Sequence, residues 1–292
     1  MKCLSPLLVK DKYGQLVHAP CGQCIHCRLN YARQWSIRIA HEQLKYGSNC
    51  CFLTLTYADE FLPADHSIHK RDLQLFLKRF RKSLGVSKIR YFGCGEYGGK
   101  FGRPHYHICV FGVPIDSKIF KNRHVHYEKG KPCGHHCDLS AWPYGKVHIG
   151  SLTPESANYC AGYILKKVKG KHADEYYSAL GIEPEFVLMS RKPGIGQSYV
   201  SSHGDYYKVH PYVTIKGCKY PLPRYYVDKS GAKFSPLKAL QKRIDDYQKF
   251  RDECLAQGMT SAQIIQLAED KLEYMEKETR ARLKMKGNRN EN

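Results

Sequence analysis

Three sets of residues in this 292-residue chain have the types and spacing to do chemistry. The first lies in the run Pro104-His-Tyr-His-Ile-Cys-Val-Phe111, where His105 and His107 stand two apart. Their β-favouring neighbours predict a strand, and side chains two apart in a strand leave the same face. Two imidazoles so placed suit two ligands of one divalent ion. Glu96 closes the preceding strand, and hairpin pairing across the glycine-rich turn would bring its carboxylate beside them. Two imidazoles, one carboxylate and open positions describe a catalytic metal site with room for a phosphate oxygen. Two histidines on a half-exposed polar face are the competing reading.

The second set is Asn158-Tyr-Cys-Ala-Gly-Tyr-Ile-Leu-Lys-Lys167. Thr153 as N-cap and Pro154 at the first helical position predict a helix start. On that helix Tyr159, Tyr163 and Lys166 share a side, at i, i+4 and i+7, while Lys167 points further round. An amphipathic helix with its aromatics in the core is the alternative, but a core face has no use for a lysine in line. A deprotonated phenol is a nucleophile, and a nearby cation eases loss of its proton. The third set is Cys21, Cys24 and Cys27 in C-x-x-C-x-x-C, with Cys3 able to fold back as a fourth thiolate. Four thiolates make the closed tetrahedral site of structural zinc. An iron–sulfur cluster is the rival, disfavoured because nothing else here suggests electron transfer.

In chain order, Phe52-Leu-Thr-Leu-Thr-Tyr57, then H-Y-H after a glycine-rich turn, then Y-x-x-x-Y-x-x-K carry a resemblance. The chain resembles the HUH superfamily of rolling-circle replication initiators in its two-tyrosine form. It is most similar to the initiators of gokushovirus-like Microviridae, small circular single-stranded DNA bacteriophages. The resemblance covers residues 3 to roughly 170 and includes the cysteine cluster. It implies an α+β fold, the HUH endonuclease fold: an antiparallel sheet of about five strands with helices on one face. His105 and His107 would lie on a central strand, Glu96 on its neighbour, and the tyrosine helix across that face. The implied activity is metal-dependent nicking of single-stranded DNA at a replication origin by tyrosine transesterification. Mg²⁺ or Mn²⁺ would sit at His105, His107 and Glu96, and Zn²⁺ at Cys3, Cys21, Cys24 and Cys27. Tyr159 and Tyr163 would be the nucleophiles, Tyr163 first because of its Y-x-x-K spacing, with Lys166 stabilising the phenolate. Host polymerase and helicase would follow, in the cytoplasm of the host bacterium. A transposase or relaxase of the same superfamily would use these residues on another DNA. A zinc-containing single-strand binder without catalysis is the reading from a different class.

Composition narrows the partner. The formal net charge is +20, with 47 Lys and Arg against 27 Asp and Glu. Such an excess predicts attraction to a polyanion that weakens with salt. No apolar run approaches the roughly 18 residues that span a bilayer, and the opening MKCLSPLLVKDKYG does not read as a signal peptide. Nucleic acid is therefore preferred to a membrane. Thirteen cysteines without an export signal point to a reducing compartment and metal binding rather than disulfides. The 22 tyrosines suit stacking on unpaired bases.

The elements that must position these residues are partly legible. Residues 28–46 read as a helix with Ala32, Trp35, Ile39 and Leu44 on one face, and 51–57 as a strand. Residues 72–84 form an amphipathic helix burying Leu73, Phe76, Leu77, Phe80 and Leu84. Its other face carries Lys70, Arg71, Lys78, Arg79, Arg81 and Lys82, suited to phosphates. Residues 115–150 read as a long connection containing His124, His126, Cys133, His135, His136, Cys137 and His148, ending in a strand at 146–152. There, Cys133-Gly-His-His-Cys137 is either half of a second zinc site or a polar loop. No GxxxxGK[ST] stretch exists, so no ATPase is implied. The expected domains are a cysteine-rich segment at 1–30, the endonuclease domain at 31–230 and a helical hairpin at 231–292 that packs on it. That hairpin breaks at Gly258, resumes at Thr260 or Ser261 and ends in a frayed basic tail from Lys284.

Overall fold

A computed structural model describes residues 3–10, 14–85, 88–99, 102–128, 130–165, 167–170, 172–215, 217–232 and 236–291. The chain divides into two compact units, 31–232 and the two terminal segments 1–30 and 233–292 together. Strands β1 (Leu7–Lys10) and β2 (Leu16–Ala19) precede α1 (Ile25–Tyr46), β3 (Cys50–Tyr57), α2 (Lys70–Ser83), β4 (Arg90–Tyr97) and β5 (Pro104–Phe111). Next come β6 (Lys121–Glu128), β7 (Lys131–Asp138), β8 (Gly145–Ser151), α3 (Pro154–Gly162), α4 (Ala173–Leu180) and β9 (Phe186–Met189). The chain continues through α5 (Gln197–Ser202), α6 (Gly204–Val209), β10 (Tyr212–Ile215), β11 (Cys218–Pro221) and α7 (Arg224–Ser230) to α8 (Pro236–Ala256) and α9 (Ser261–Glu291).

The larger unit is α+β, built on a seven-stranded antiparallel sheet in the order β6-β7-β8-β3-β5-β4-β9. The expected five strands fall two short. Residues 121–138 form a hairpin rather than a loop at one edge, and β9 forms the other edge beside β4. The sequences KNRHVHYE and KPCGHHCD have no apolar alternation, so a pattern that rewards alternation passes over them. At the other edge Gly95 opposes Phe186, and a Cβ on Gly95 would lie 2.8 Å from the Phe186 ring.

Helices cover both faces of the sheet, not one. Leu53, Leu55, Tyr106, Ile108, Val110, Val147 and Ile149 pack against Leu73, Phe76, Leu77 and Phe80 of α2. On the other face Phe52, Phe92, Cys94, Cys109 and Phe111 meet Trp35 and Ile39 of α1 and Ala157, Cys160 and Ala161 of α3. The central strands therefore read as nearly continuous apolar runs, because neither face meets water. Leu44 is exposed, contrary to expectation. It stands about 180° round α1 from Trp35 at 100° per residue. Ile37 joins a third cluster with Val200, Tyr207, Val213, Leu222 and Tyr226.

In the other unit β1 and β2 pair as an antiparallel hairpin. Gly258, with φ +78°, separates α8 from α9, and the Thr260 hydroxyl caps α9 by accepting from the Gln263 N–H at 3.3 Å. Cys254 and Ile264 are buried. The backbone stays helical to Glu291, in place of the frayed tail that its composition suggests. Among the described residues no helix is long and apolar enough to cross a membrane.

Candidate functional site

Strand register builds the site. Glu96 opposes His105 and Cys94 opposes His107 across β4 and β5, while Thr56 and Thr54 of β3 oppose the same two histidines. Glu96, His105 and His107 thus share the face that α3 covers. Glu96 and His107 are buried, and His107 Nε2 lies 3.1 Å from Glu96 Oε1. A buried carboxylate needs such a partner to offset its lost hydration. The other nitrogens are oriented from behind. His105 Nδ1 lies 2.5 Å from the Arg103 carbonyl, an acceptor, so Nδ1–H donates to it. His107 Nδ1 lies 3.0 Å from Thr54 Oγ1. Outer hydrogen bonds of this kind set the tautomer and aim of metal-binding imidazoles.

The three donor atoms are not all within 4.8 Å of one another. Two imidazoles and a carboxylate are donor types that a divalent ion takes, and here Glu96 is paired with His107 instead. The sequence puts Thr54 and Thr56 on one strand face, turned toward a metal or DNA or present as ordinary β-propensity, the reading preferred for each. The register opposite His107 gives Thr54 its hydrogen bond to Nδ1.

The helix start at Thr153 and Pro154 forms as expected, with a capping box: Thr153 Oγ1 accepts from the Ser156 N–H at 3.2 Å, and Ser156 Oγ accepts from the Thr153 N–H at 2.7 Å. Ser36 of α1 donates to Asn158 Oδ1 at 2.6 Å, fixing α3 beside α1. The helix tightens into a 3₁₀ turn at Tyr163–Leu165. The Tyr163 ring stacks on His107, with centroids 4.5 Å apart and planes 2° from parallel. Tyr159 stands edge-on to Tyr163 at 4.6 Å and to His107 at 5.5 Å. Tyr163 is 6% exposed and Tyr159 49%, so the two phenols differ in access. Burial first, then the Glu96 carboxylate and the neighbouring Tyr159, push the Tyr163 phenol well above the usual range. Lys166 lies outside the described residues. Beneath these rings, Cys94 and Cys160 bring their sulfurs to 3.9 Å, and burial holds both thiols protonated.

The four cysteines converge as the spacing predicts. The sulfurs of Cys3, Cys21, Cys24 and Cys27 all lie within 4.8 Å of one another, with Cys3 to Cys24 at 3.9 Å and Cys21 to Cys27 at 4.0 Å. A tetrahedral ion with metal–sulfur bonds of about 2.3 Å needs sulfurs about 3.8 Å apart. Backbone N–H groups of Cys21 and Cys24 donate to the sulfurs of Cys3 and Cys21, each at 3.3 Å. This cluster could hold a metal ion.

Cys133 and Cys137 of the stretch Cys133-Gly-His-His-Cys137 do not converge as a pair of ligands. Strand alternation sends Cys137 into the core beside Val147 and His136 to the opposite face, while Cys133 is exposed. The cations of α2 lie across the sheet from Glu96 and His107. Arg79 is occupied there, donating from Nε to the Ala141 carbonyl at 2.8 Å and covering the Tyr144 ring, while Lys70, Arg71, Lys78, Arg81 and Lys82 remain at least partly open to solvent.

Residues 50–168, which hold Thr54, Glu96, both histidines and both tyrosines, match a family of replication-associated proteins of the ORF2 type. The chain is similar to "Replication-associated protein VP4" of Bdellovibrio phage phiMH2K, 36% identical over 72% of this chain and 66% of that protein. It is 34% identical to "Replication-associated protein ORF2" of Spiroplasma virus 4, over 71% of this chain and 66% of the relative. A third relative, "Replication-associated protein ORF4" of Chlamydia phage 1, is 26% identical over 72% of this chain and 52% of its own length. The chain thus spans just under two thirds of the length of the first two relatives and about half of the third. No solved structure matches. The chain is a homologue of these replication-associated proteins, and residues 50–168 are the part that matches the family.

Proposed function

We propose that this protein is a metal-dependent single-strand DNA endonuclease and strand-joining enzyme of the HUH type that initiates rolling-circle replication of a small circular genome. The observation that carries the reading is the Tyr163 ring stacked on His107 at 4.5 Å, over the buried Glu96–His107 pair. The phenol proposed as nucleophile and the residues proposed as metal ligands share that face. The net charge of +20 supports a nucleic-acid substrate.

Glu96, His105 and His107 would hold a divalent ion, Mg²⁺ or Mn²⁺, which when bound would supply positive charge at the scissile phosphate and against the field Glu96 exerts on the Tyr163 phenol. Thr54 and the Arg103 carbonyl keep the two imidazoles aimed. The Tyr163 oxygen attacks phosphorus as its proton departs. The bond from phosphorus to the 3′ oxygen breaks, that oxygen takes up a proton, and a 5′-phosphotyrosine and a free 3′-hydroxyl result. The phosphodiester energy is kept in the tyrosine ester, so joining is the reverse attack by a 3′-hydroxyl and needs no ATP. Tyr163 leads because it lies nearer His107, and Tyr159 cuts the regenerated origin after one round of copying. Lys166 stabilises the phenolate. The cysteine quartet holds structural Zn²⁺. The host's polymerase extends the primer and its helicase opens the duplex, in the bacterial cytoplasm.

The test is a denaturing gel of the protein with origin-bearing single-stranded circles and Mn²⁺, beside Tyr159→Phe, Tyr163→Phe and His107→Ala. A covalent adduct that needs both metal and a phenol is expected. Tight low-salt binding with no adduct on any origin strand would replace this reading with the non-catalytic single-strand binder. Adduct formation only on transposon ends or plasmid transfer origins would move it to a transposase or relaxase.

A further inference from the structure

The polar edge of the sheet gathers histidines that the site above does not use. In register, His124 opposes His136 across β6 and β7, His126 opposes Gly134, and His136 opposes His148 of β8. Strand alternation therefore puts His126, His136 and His148 on one face. Their ring centroids are 4.4 Å apart for His126 and His136, 5.4 Å for His126 and His148, and 5.5 Å for His136 and His148. Three imidazoles on one tetrahedral ion, with metal–nitrogen bonds of about 2.05 Å, would hold their ring centres about 5 Å apart. We propose that His126, His136 and His148 form a binding site for a divalent ion of the zinc class, which fastens the β6–β7 hairpin to β8.

Two further observations support the site. His148 Nε2 is buried with no hydrogen-bond partner, and a buried donor or acceptor left unpaired calls for an ion or water. The space for that ring exists because residue 134 is glycine: a Cβ there would lie 2.5 Å from His148 Nε2. Nitrogen donors without a carboxylate select zinc, copper or nickel over magnesium or calcium. His136 Nε2 and His126 Nδ1 already meet at 3.1 Å. The three donors are not yet all within 4.8 Å of one another, so binding turns the rings about their side-chain torsions while the strands stay put.

The location assigns a structural role. Thr54 opposes His107 on one side and His148 on the other. Two strand spacings, about 10 Å, separate those histidines, whereas paired catalytic ions lie about 4 Å apart. The edge hairpin buries little apolar surface, with Val125 and Tyr127 both exposed. A metal link would supply the attachment that hydrophobic packing does not.

The experiment uses the full chain, equilibrated with zinc, freed of excess metal and assayed for bound zinc by mass spectrometry. His126→Gln, His136→Gln and His148→Gln should each hold one equivalent less than the parent, while Cys21→Ser loses a different equivalent. Unchanged zinc in the three histidine variants overturns the proposal. Because a variant could fold poorly, the parent protein is also carbethoxylated with and without zinc and mapped by peptide mass. Zinc should protect His126 and His136 but not the exposed His172. Equal modification under both conditions overturns it as well.

Discussion

The cysteine quartet and the Glu96–His105–His107 face proposed as a second metal site are prepared differently. The four sulfurs stand within 4.8 Å of one another on a loop and the start of α1, held by backbone N–H groups. The histidines and the carboxylate are spread along rigid strands, and Glu96 is occupied by His107 at 3.1 Å. A structural site gains from four converged ligands that exclude water. A catalytic site must leave positions for substrate, and so holds its ion less completely. The contrast predicts a tightly held ion at one site and an exchangeable ion at the other.

The sharpest break would come from the nucleophiles. Removing both phenols in Tyr159→Phe/Tyr163→Phe should abolish the covalent adduct while leaving low-salt binding to single strands intact in a filter assay. His107→Ala should slow adduct formation by about 10³-fold, the scale of losing one preorganised electrostatic contact, as measured by single-turnover gels. Brief treatment with EDTA should stop the reaction and added Mn²⁺ should restore it, while zinc stays on the cysteines, because four converged thiolates leave the chelator no open position by which to enter. Loss of both metals at the same chelator concentration would erase the contrast. A subtler change is Thr54→Val, which removes the hydrogen bond behind His107. It should raise the Mn²⁺ needed for half-maximal rate by about 10–100-fold, with little change at saturating metal. The smallest effect belongs to Thr153→Ala. Losing the cap of α3 should cost about 1 kcal/mol in urea unfolding, without changing metal demand.

The placement of both candidate sets is legible because local geometry makes it so. The i, i+2 spacing of His105 and His107 needs only a strand to share a face, and C-x-x-C-x-x-C needs only a turn. Hairpin pairing then places Glu96 opposite His105. The helix carrying Tyr159 announces itself through Thr153 and Pro154. Other features are hidden. The strands KNRHVHYE and KPCGHHCD have no apolar alternation, so they read as loop, and the sheet is two strands wider than the sequence suggests. The family resemblance implies helices on one face only, and the amphipathic patterns of α2 and α1 could not correct it, because they do not say which side each covers.

Local sequence therefore determined which residues could do chemistry and which short elements carry them, because period, capping and turn chemistry act over a few residues. Only the tertiary structure decided which of them meet. It stacked Tyr163 on His107 while leaving Tyr159 open, turned Thr54 into the support of a histidine 53 residues away, and split Cys137 from His136 across the sheet. Those outcomes depend on strand register and on which helix covers which face. Both are set by packing between segments distant in the chain, where no spacing rule reaches.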